Sequence, residues 1–191
     1  MVYIKNLILA FFLILLVTSC LSAQKYFTKT GVVSFYSQTP IENIEAHNKS
    51  SNCVFDLETG SIGFAVLIKG FYFKKALMQE HFNENYMESN KYPNATFKGQ
   101  VENYKKIDPA KNGTITVKVK GELTMHGVTK PIVTDAEINV VNGKIDADAQ
   151  FNVAVADYNI AIPTLVKNQI AKSILVRVDS TLEPLVKKEN N

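Results

Sequence analysis

Cysteine is scarce in this chain. Only Cys20 and Cys53 occur, with neither a CxxC pair nor Cys/His ligand spacing, which excludes a zinc motif of the usual kind. Once Cys20 is cleaved off or lipidated, Cys53 has no partner for an intramolecular disulfide. Within Cys53-Val54-Phe55 it reads as a small buried hydrophobe, a reactive thiol being the alternative. Histidine is equally sparse: His47, His81 and His126 show no metal spacing, and no GxSxG or HExxH context is present. The formal net charge is only +3, to which Lys5 contributes one unit, so charge gives no support for nucleic-acid binding. Beyond residue 17 no apolar run is long enough to span a bilayer. Repeats, low-complexity tracts and domain linkers are missing as well.

What is present begins with an address. Lys5 supplies a basic n-region, residues 7–17 are unbroken apolar, and small and polar residues follow, which is the pattern of a secretory signal peptide over residues 1–23. Two maturation routes fit. Leu21-Ser22-Ala23 before Gln24 is an ordinary signal-peptidase site. Val17-Thr18-Ser19-Cys20 has the form of a lipobox, in which lipidated Cys20 would anchor the protein at about 0.8 kcal/mol per buried CH₂. The expected protein is therefore exported to the periplasm or cell envelope, or held at a membrane as a lipoprotein through Cys20. Residues 24–187 read as one domain, with 46% hydrophobic and 20% charged residues in the chain, and residues 188–191 as a polar tail.

Alternation of period two dominates that domain. Residues 25–37 are rich in β-formers and punctuated by Gly31. Residues 38–52 are polar and contain Pro40, which argues against a central strand, although Ile44, Ala46 and Asn48 suit a short one. Residues 53–57 read as a strand and 58–61 as a turn. Over 61–69, Ile62, Phe64, Val66 and Ile68 share one face, and the aromatic cluster Phe71-Tyr72-Phe73 follows. Over 74–87 the period changes. Met78, Phe82 and Tyr86 recur at i, i+4 and i+8, which predicts one amphipathic helix packed over an end or flank of the sheet. Five more strands lie near 95–102, 114–125, 132–140, 144–155 and 174–182. Asn142-Gly143 is a hairpin signal, and a short helix is expected after Pro163. The fold class is all-β and antiparallel, with about eight strands closed as a barrel or stacked as a sandwich.

Residues 121–131 read GELTMHGVTKP. Leu123 and Met125 share one face, Glu122 and Thr124 the other; Gly127 turns the chain and Pro131 fixes φ on the return. This string resembles the signature hairpin of the YceI-like family of bacterial envelope proteins. Residues 80–97, with His81-Phe82 and Tyr92-Pro93-Asn94-Ala95-Thr96-Phe97, resemble that family's helix-to-strand passage. The resemblance covers roughly residues 25–185 and implies a lipocalin-like antiparallel β-barrel that holds a long apolar ligand such as a polyisoprenoid. Asp157-Tyr158-Asn159 matches loosely, with Asn159 where a Gly is common in the family.

Gly99, Gly121, Ala136, Ala147 and Ala149 are small residues on inner faces, where a packed core favours larger ones. Either they leave a pocket, or aromatic side chains from 71–73 or the helix fill the volume. The resemblance implies the pocket. Phe64, Val66, Ile68, Phe97, Met125 and Phe151 would then wrap an apolar chain, and Phe71, Tyr72, Phe73, Met78, Phe82 and Tyr86 would cover it. The expected ligand is an amphiphilic lipid, a polyisoprenoid or isoprenoid quinone, bound without a catalytic group, a metal or another cofactor. Lys69, Lys74, Lys75, Lys130 and Lys167 are rim cations or merely solvated. His126 reads as a corner residue bonded to the hairpin backbone. Two other readings stay open. One is an envelope enzyme acting on a quinone-like substrate with His126 as base. The other is a filled barrel that works as a structural or stress-response partner, with Leu67 and Val133 exposed. Whether the barrel forms a homodimer is also open.

Overall fold

The computed structural model describes residues 25–185. The expected signal peptide, Cys20 and the polar tail lie outside the described residues. Strands β1 (Lys25–Gln38), β2 (Asn43–Asp56), β3 (Ser61–Leu67), β4 (Tyr72–Phe73), β5 (Asn94–Val101), β6 (Gly113–Met125), β7 (Val128–Val141), β8 (Lys144–Ala154) and β9 (Ser173–Pro184) are joined by one α-helix, α1 (Ala76–His81). Every pairing is antiparallel, in the order β1-β9-β8-β7-β6-β5-β3-β2, and β1 pairs with β2 to close the ring. This is an eight-stranded barrel; β4 adds two residues to the outer end of β2, through Ala46 and His47.

The polar stretch that contains Pro40 is more regular than its composition implies. β2 runs fourteen residues, from Asn43 to Asp56, and Pro40 sits in the turn before it. Its inward positions include small polar groups that mask the apolar period. Asn48 and Ser51 are fully buried, and Asn48 Nδ2 donates to the Leu67 carbonyl at 2.9 Å. A buried amide satisfied in this way costs little, whereas an unpaired one costs about 1–3 kcal/mol. His47 lies within this strand, its Nδ1 at 2.8 Å from Ser34 Oγ. Cys53, in the same strand, is fully buried, and burial pushes its thiol pKa up.

The helix is shorter than its period implied. After six α residues it widens into a π turn over Phe82–Tyr86, where Met87 N–H donates to the Phe82 carbonyl at 2.8 Å. Beyond Pro163 the expected helix is a single 3₁₀ turn, Thr164–Val166. Both hairpins signalled by glycine take a two-residue loop with positive φ at each position: His126 at 51° and Gly127 at 75°, Asn142 at 51° and Gly143 at 79°.

The two ends of the barrel differ. One is plugged: Tyr26, Leu57, Val101, Ile107, Ile145 and Leu182 belong to one buried cluster, against which Tyr104 packs. The β1–β2 turn, α1, the β6–β7 hairpin and residues 155–172 lie at the other end.

Candidate functional site

A cavity of about 340 Å³ runs inside the barrel towards the end that carries α1. Alternation builds its wall. Phe64 and Val66 on β3, Phe97 on β5, Met125 on β6 and Phe151 on β8 all border it, with Ile68 from the 3₁₀ turn after β3. Phe71, Phe73, Met78, Phe82 and Tyr86 border it from the covering segments. Thus eleven of the twelve residues expected at the pocket meet there, and Tyr72 does not. Tyr72 is 69% exposed and pairs with His47 on β2. The correction follows from strand geometry: Phe71 and Phe73 point inward, so the residue between them must point out.

Aromatic packing orders the lid. Phe35 of β1 stands at 5.4 Å from both Phe71 and Phe82, stacked on the latter, and at 5.7 Å from Phe73. Phe73 and Phe82 lie 5.0 Å apart. Sequence reading counted Phe35 only as a β-former, although its alternation with Val33 and Ser37 marks the inner face. It missed Ile162, Val166 and Ile170, which also line the cavity. Their segment has no sustained period, so no repeat could have pointed to them.

Small inner residues contribute space unequally. A Cβ built on Gly99 or Gly121 would meet the Phe97 ring at 2.6 Å. Phe97 thus lies flat over this cross-strand glycine pair and takes up the room they leave. Ala136, Ala147 and Ala149 remain on the cavity wall. The room beside the two glycines is thus taken by a strand residue, not by the aromatic run 71–73 or the helix, while the three alanines leave theirs to the cavity.

Polar groups are few and do not converge. Ser37, His81 and Gln169 stand near the open end, Thr96, Thr134 and Asp148 on strands. Thr134 Oγ1 donates to the Gln150 carbonyl at 2.8 Å. Asp148 faces Asp179 across the β8–β9 pair. Hydrogen bonding to Asp179, then burial, then the charges of Asp179, Glu137 and Asp146 push its carboxyl up to about 6. Among the described residues, no group of three His, Cys, Asp or Glu side chains is placed to hold a metal ion. Lys69 donates to Asn90 Oδ1 at 2.6 Å, and Lys75 pairs with Glu42 at 3.1 Å. None of the five candidate rim lysines lines the cavity.

His126 is not bonded to its own hairpin, which corrects the sequence reading. Its Nδ1 donates to the Tyr158 carbonyl at 2.9 Å, and Nε2 lies 2.9 Å from Glu88 Oε2. The ring of Tyr92 crosses it at 4.7 Å and also covers Gly127, where a Cβ would meet Tyr92 at 2.7 Å. Three segments therefore meet at this imidazole: the turn after α1, the β6–β7 hairpin and the residues after β8. Glu88, His126 and Asn159 beside it all have positive φ, at 42°, 51° and 56°. Asn tolerates this conformation better than most side chains, so Asn159 can hold a position where a glycine would be usual.

A closed antiparallel barrel with an apolar interior and an aromatic lid defines a lipocalin-like protein. The YceI-like domain family matches residues 27–182, and the chain belongs to it. Solved structures share the fold at low identity. A polyisoprenoid binding domain from Saccharophagus degradans, described as implicated in plant cell wall breakdown, aligns with a TM-score of 0.75 at 17% identity, covering 85% of this chain and 99% of that one. BcnA of Burkholderia cenocepacia aligns at 0.65 and 16% identity, over 80% of this chain and 95% of that one. The YceI protein of Campylobacter jejuni aligns at 0.58 and 22% identity, over 80% and 90%. No curated protein matches the chain.

Proposed function

We propose that this protein is a non-catalytic carrier that sequesters the long apolar chain of an amphiphilic lipid, a polyisoprenoid or isoprenoid quinone, in the cell envelope. The observation that carries this reading is the cavity of about 340 Å³ lined almost wholly by apolar side chains. An engineered apolar cavity of about 150 Å³ already stays dry and takes up benzene. Burying about 300 Å² of prenyl surface would contribute about 7 kcal/mol at 25 cal/mol per Å², before the costs of association. The Saccharophagus domain, described as polyisoprenoid binding, supports the ligand class. The leader argues for export, with cleavage after Ala23 or lipidation at Cys20 as its two routes.

Two facts weigh against the alternatives. His126, the only base the enzyme reading could name, has both ring nitrogens engaged and is absent from the cavity wall. The filled-barrel reading expects one apolar surface patch. Leu67 and Val133 are 49% and 58% exposed, but β3 and β7 are separated by β5 and β6.

The test is native mass spectrometry of the mature protein purified from a bacterial envelope, followed by organic extraction. One prenyl or quinone species per chain is expected. An empty protein that also ignores added polyprenyl lipids would refute the carrier.

A further inference from the structure

The open end of the barrel carries apolar side chains that face water. Leu165, in the turn after Pro163, is 95% exposed; Ile41 in the β1–β2 turn is 64% and Leu77 on α1 is 62% exposed. They belong to one rim. Lys75 pairs with Glu42 at 3.1 Å, which ties the start of α1 to the β1–β2 turn. Ala171 N–H donates to Ser37 Oγ at 2.8 Å, which ties residues 159–172 to the end of β1.

Residues 159–172 have an unusual composition for a polar loop. They send Ile162, Val166 and Ile170 to the cavity wall and Leu165 to solvent. Their only charges are Lys167 and Lys172, both exposed, and they contain no carboxylate. Glu42 is engaged by Lys75 and Glu88 by His126, and Glu45, Glu80, Glu84 and Asp157 at the same end also lie outside the segment. Single exposed hydrophobes are ordinary. A leucine standing clear of the surface, flanked by two lysines that form no salt bridge among the described residues, and continuous with the wall of an apolar cavity, is a combination that matches an anionic bilayer surface.

We propose that the open end docks on an anionic lipid bilayer through residues 159–172. Leu165 enters the acyl layer, while Lys167 and Lys172 meet anionic headgroups. An apolar chain passing between bilayer and cavity then slides along Val166 and Ile170 instead of crossing water. The purpose of the docking rests on the carrier reading, but its test does not need the ligand.

The chain has no tryptophan. Leu165→Trp therefore places the chain's one tryptophan at the tip, excited selectively over its tyrosines, and Val141→Trp, at a 39% exposed position beside the β7–β8 hairpin of the plugged end, serves as control. Each is mixed with phosphatidylethanolamine–phosphatidylglycerol vesicles whose acyl chains are brominated. Emission from position 165 is expected to shift to the blue and be quenched, and emission from position 141 to stay unchanged. Reversing Lys167 and Lys172 to Glu is expected to weaken co-sedimentation of the otherwise unaltered protein by about fivefold for each unit of charge, with two units changed at each position. An unquenched fluorophore at 165, or equal binding by the double charge reversal, overturns the proposal and leaves Leu165 as a contact for a protein partner. Uptake of a soluble short-chain prenyl probe, measured without vesicles, separates the two readings. Intact uptake without vesicle binding refutes docking alone, and quenching at 165 without uptake refutes the carrier alone.

Discussion

Replacing Ala149 with leucine tests whether the barrel interior is empty, because an empty and a filled interior give shifts of opposite sign. Ala149 lies on the cavity wall on β8, opposite Ala136 on β7. Leucine adds three carbons. Entering free space, each gains about 0.8 kcal/mol, and ordering the side chain costs about 0.5–1 kcal/mol, a net gain of about 1.5 kcal/mol. For a domain of this size, melting should rise by roughly 3–6 °C. In a packed core the same carbons would overfill the site at a cost of about 1–3 kcal/mol, and melting would fall. The added carbons also displace about three carbons of any bound chain. That loss of about 2.4 kcal/mol weakens the dissociation constant about fifty-fold. The assay is circular-dichroism melting of delipidated wild-type and Ala149→Leu protein, paired with titration of a fluorescent prenyl alcohol. Expected are a higher melting temperature and much weaker binding. A lower melting temperature, or unchanged prenyl affinity, would refute the reasoning.

Other positions give sharper structural tests. His126→Ala removes a bond to the Tyr158 carbonyl, the Glu88 contact and the Tyr92 ring contact, and should destabilise by about 2–3 kcal/mol in urea unfolding, leaving prenyl affinity within a few-fold of wild type. An enzyme with His126 as base would instead lose turnover at intact stability. Gly121→Ala drives a methyl onto the Lys98 carbonyl and to 2.6 Å from the Phe97 ring, so about 1–3 kcal/mol should be lost, read as a lower urea midpoint. Asp148 is held at about 6, above its ordinary 3.8. Its favourable contribution is complete below the ordinary value and is lost as pH rises through about 6, so stability should fall between pH 5 and 7.5. Asp148→Asn should flatten that dependence and gain about 0.5–1 kcal/mol at pH 7.5, the screened value for an exposed pair. Melting curves at the two pH values would show it.

The barrel strands were legible wherever the sequence alternated between an apolar and a polar face, because one buried face and one wet face write that pattern directly. β6, β7 and β8 show it throughout. β2 was harder to read because Asn48 and Ser51 point inward, and only the fold shows that Asn48 finds its partner at Leu67. The cavity wall was legible for the same reason as the strands. Tyr72 was misplaced because a three-residue aromatic run was read as one cluster, whereas extended backbone sends its middle member to the other side. Phe97 over Gly99 and Gly121 was not legible, since a ring's direction depends on the neighbouring strand. His126 stood out by type, but its partners lie 32 and 38 residues away in sequence, and only closure of the barrel brings them to it.

The polarity of the barrel bears on maturation. Lys25 lies at the plugged end, where it pairs with Asp56 at 3.6 Å and its carbonyl accepts the Leu185 N–H. The five residues from Cys20 to Lys25 span at most about 18 Å when fully extended. β1 alone has fourteen residues, about 46 Å along the strand and roughly 35 Å along a barrel axis tilted by about 40°. An acyl anchor on Cys20 would therefore hold the plugged end near its bilayer and turn the open end away. Docking of residues 159–172 on that same leaflet requires a chain free to turn over, as cleavage after Ala23 would leave it. The expected outcome is an intact mass that begins at Gln24. A diacylglyceryl group found on Cys20 would refute docking on the anchoring leaflet, and would direct the open end to a membrane facing it across the compartment.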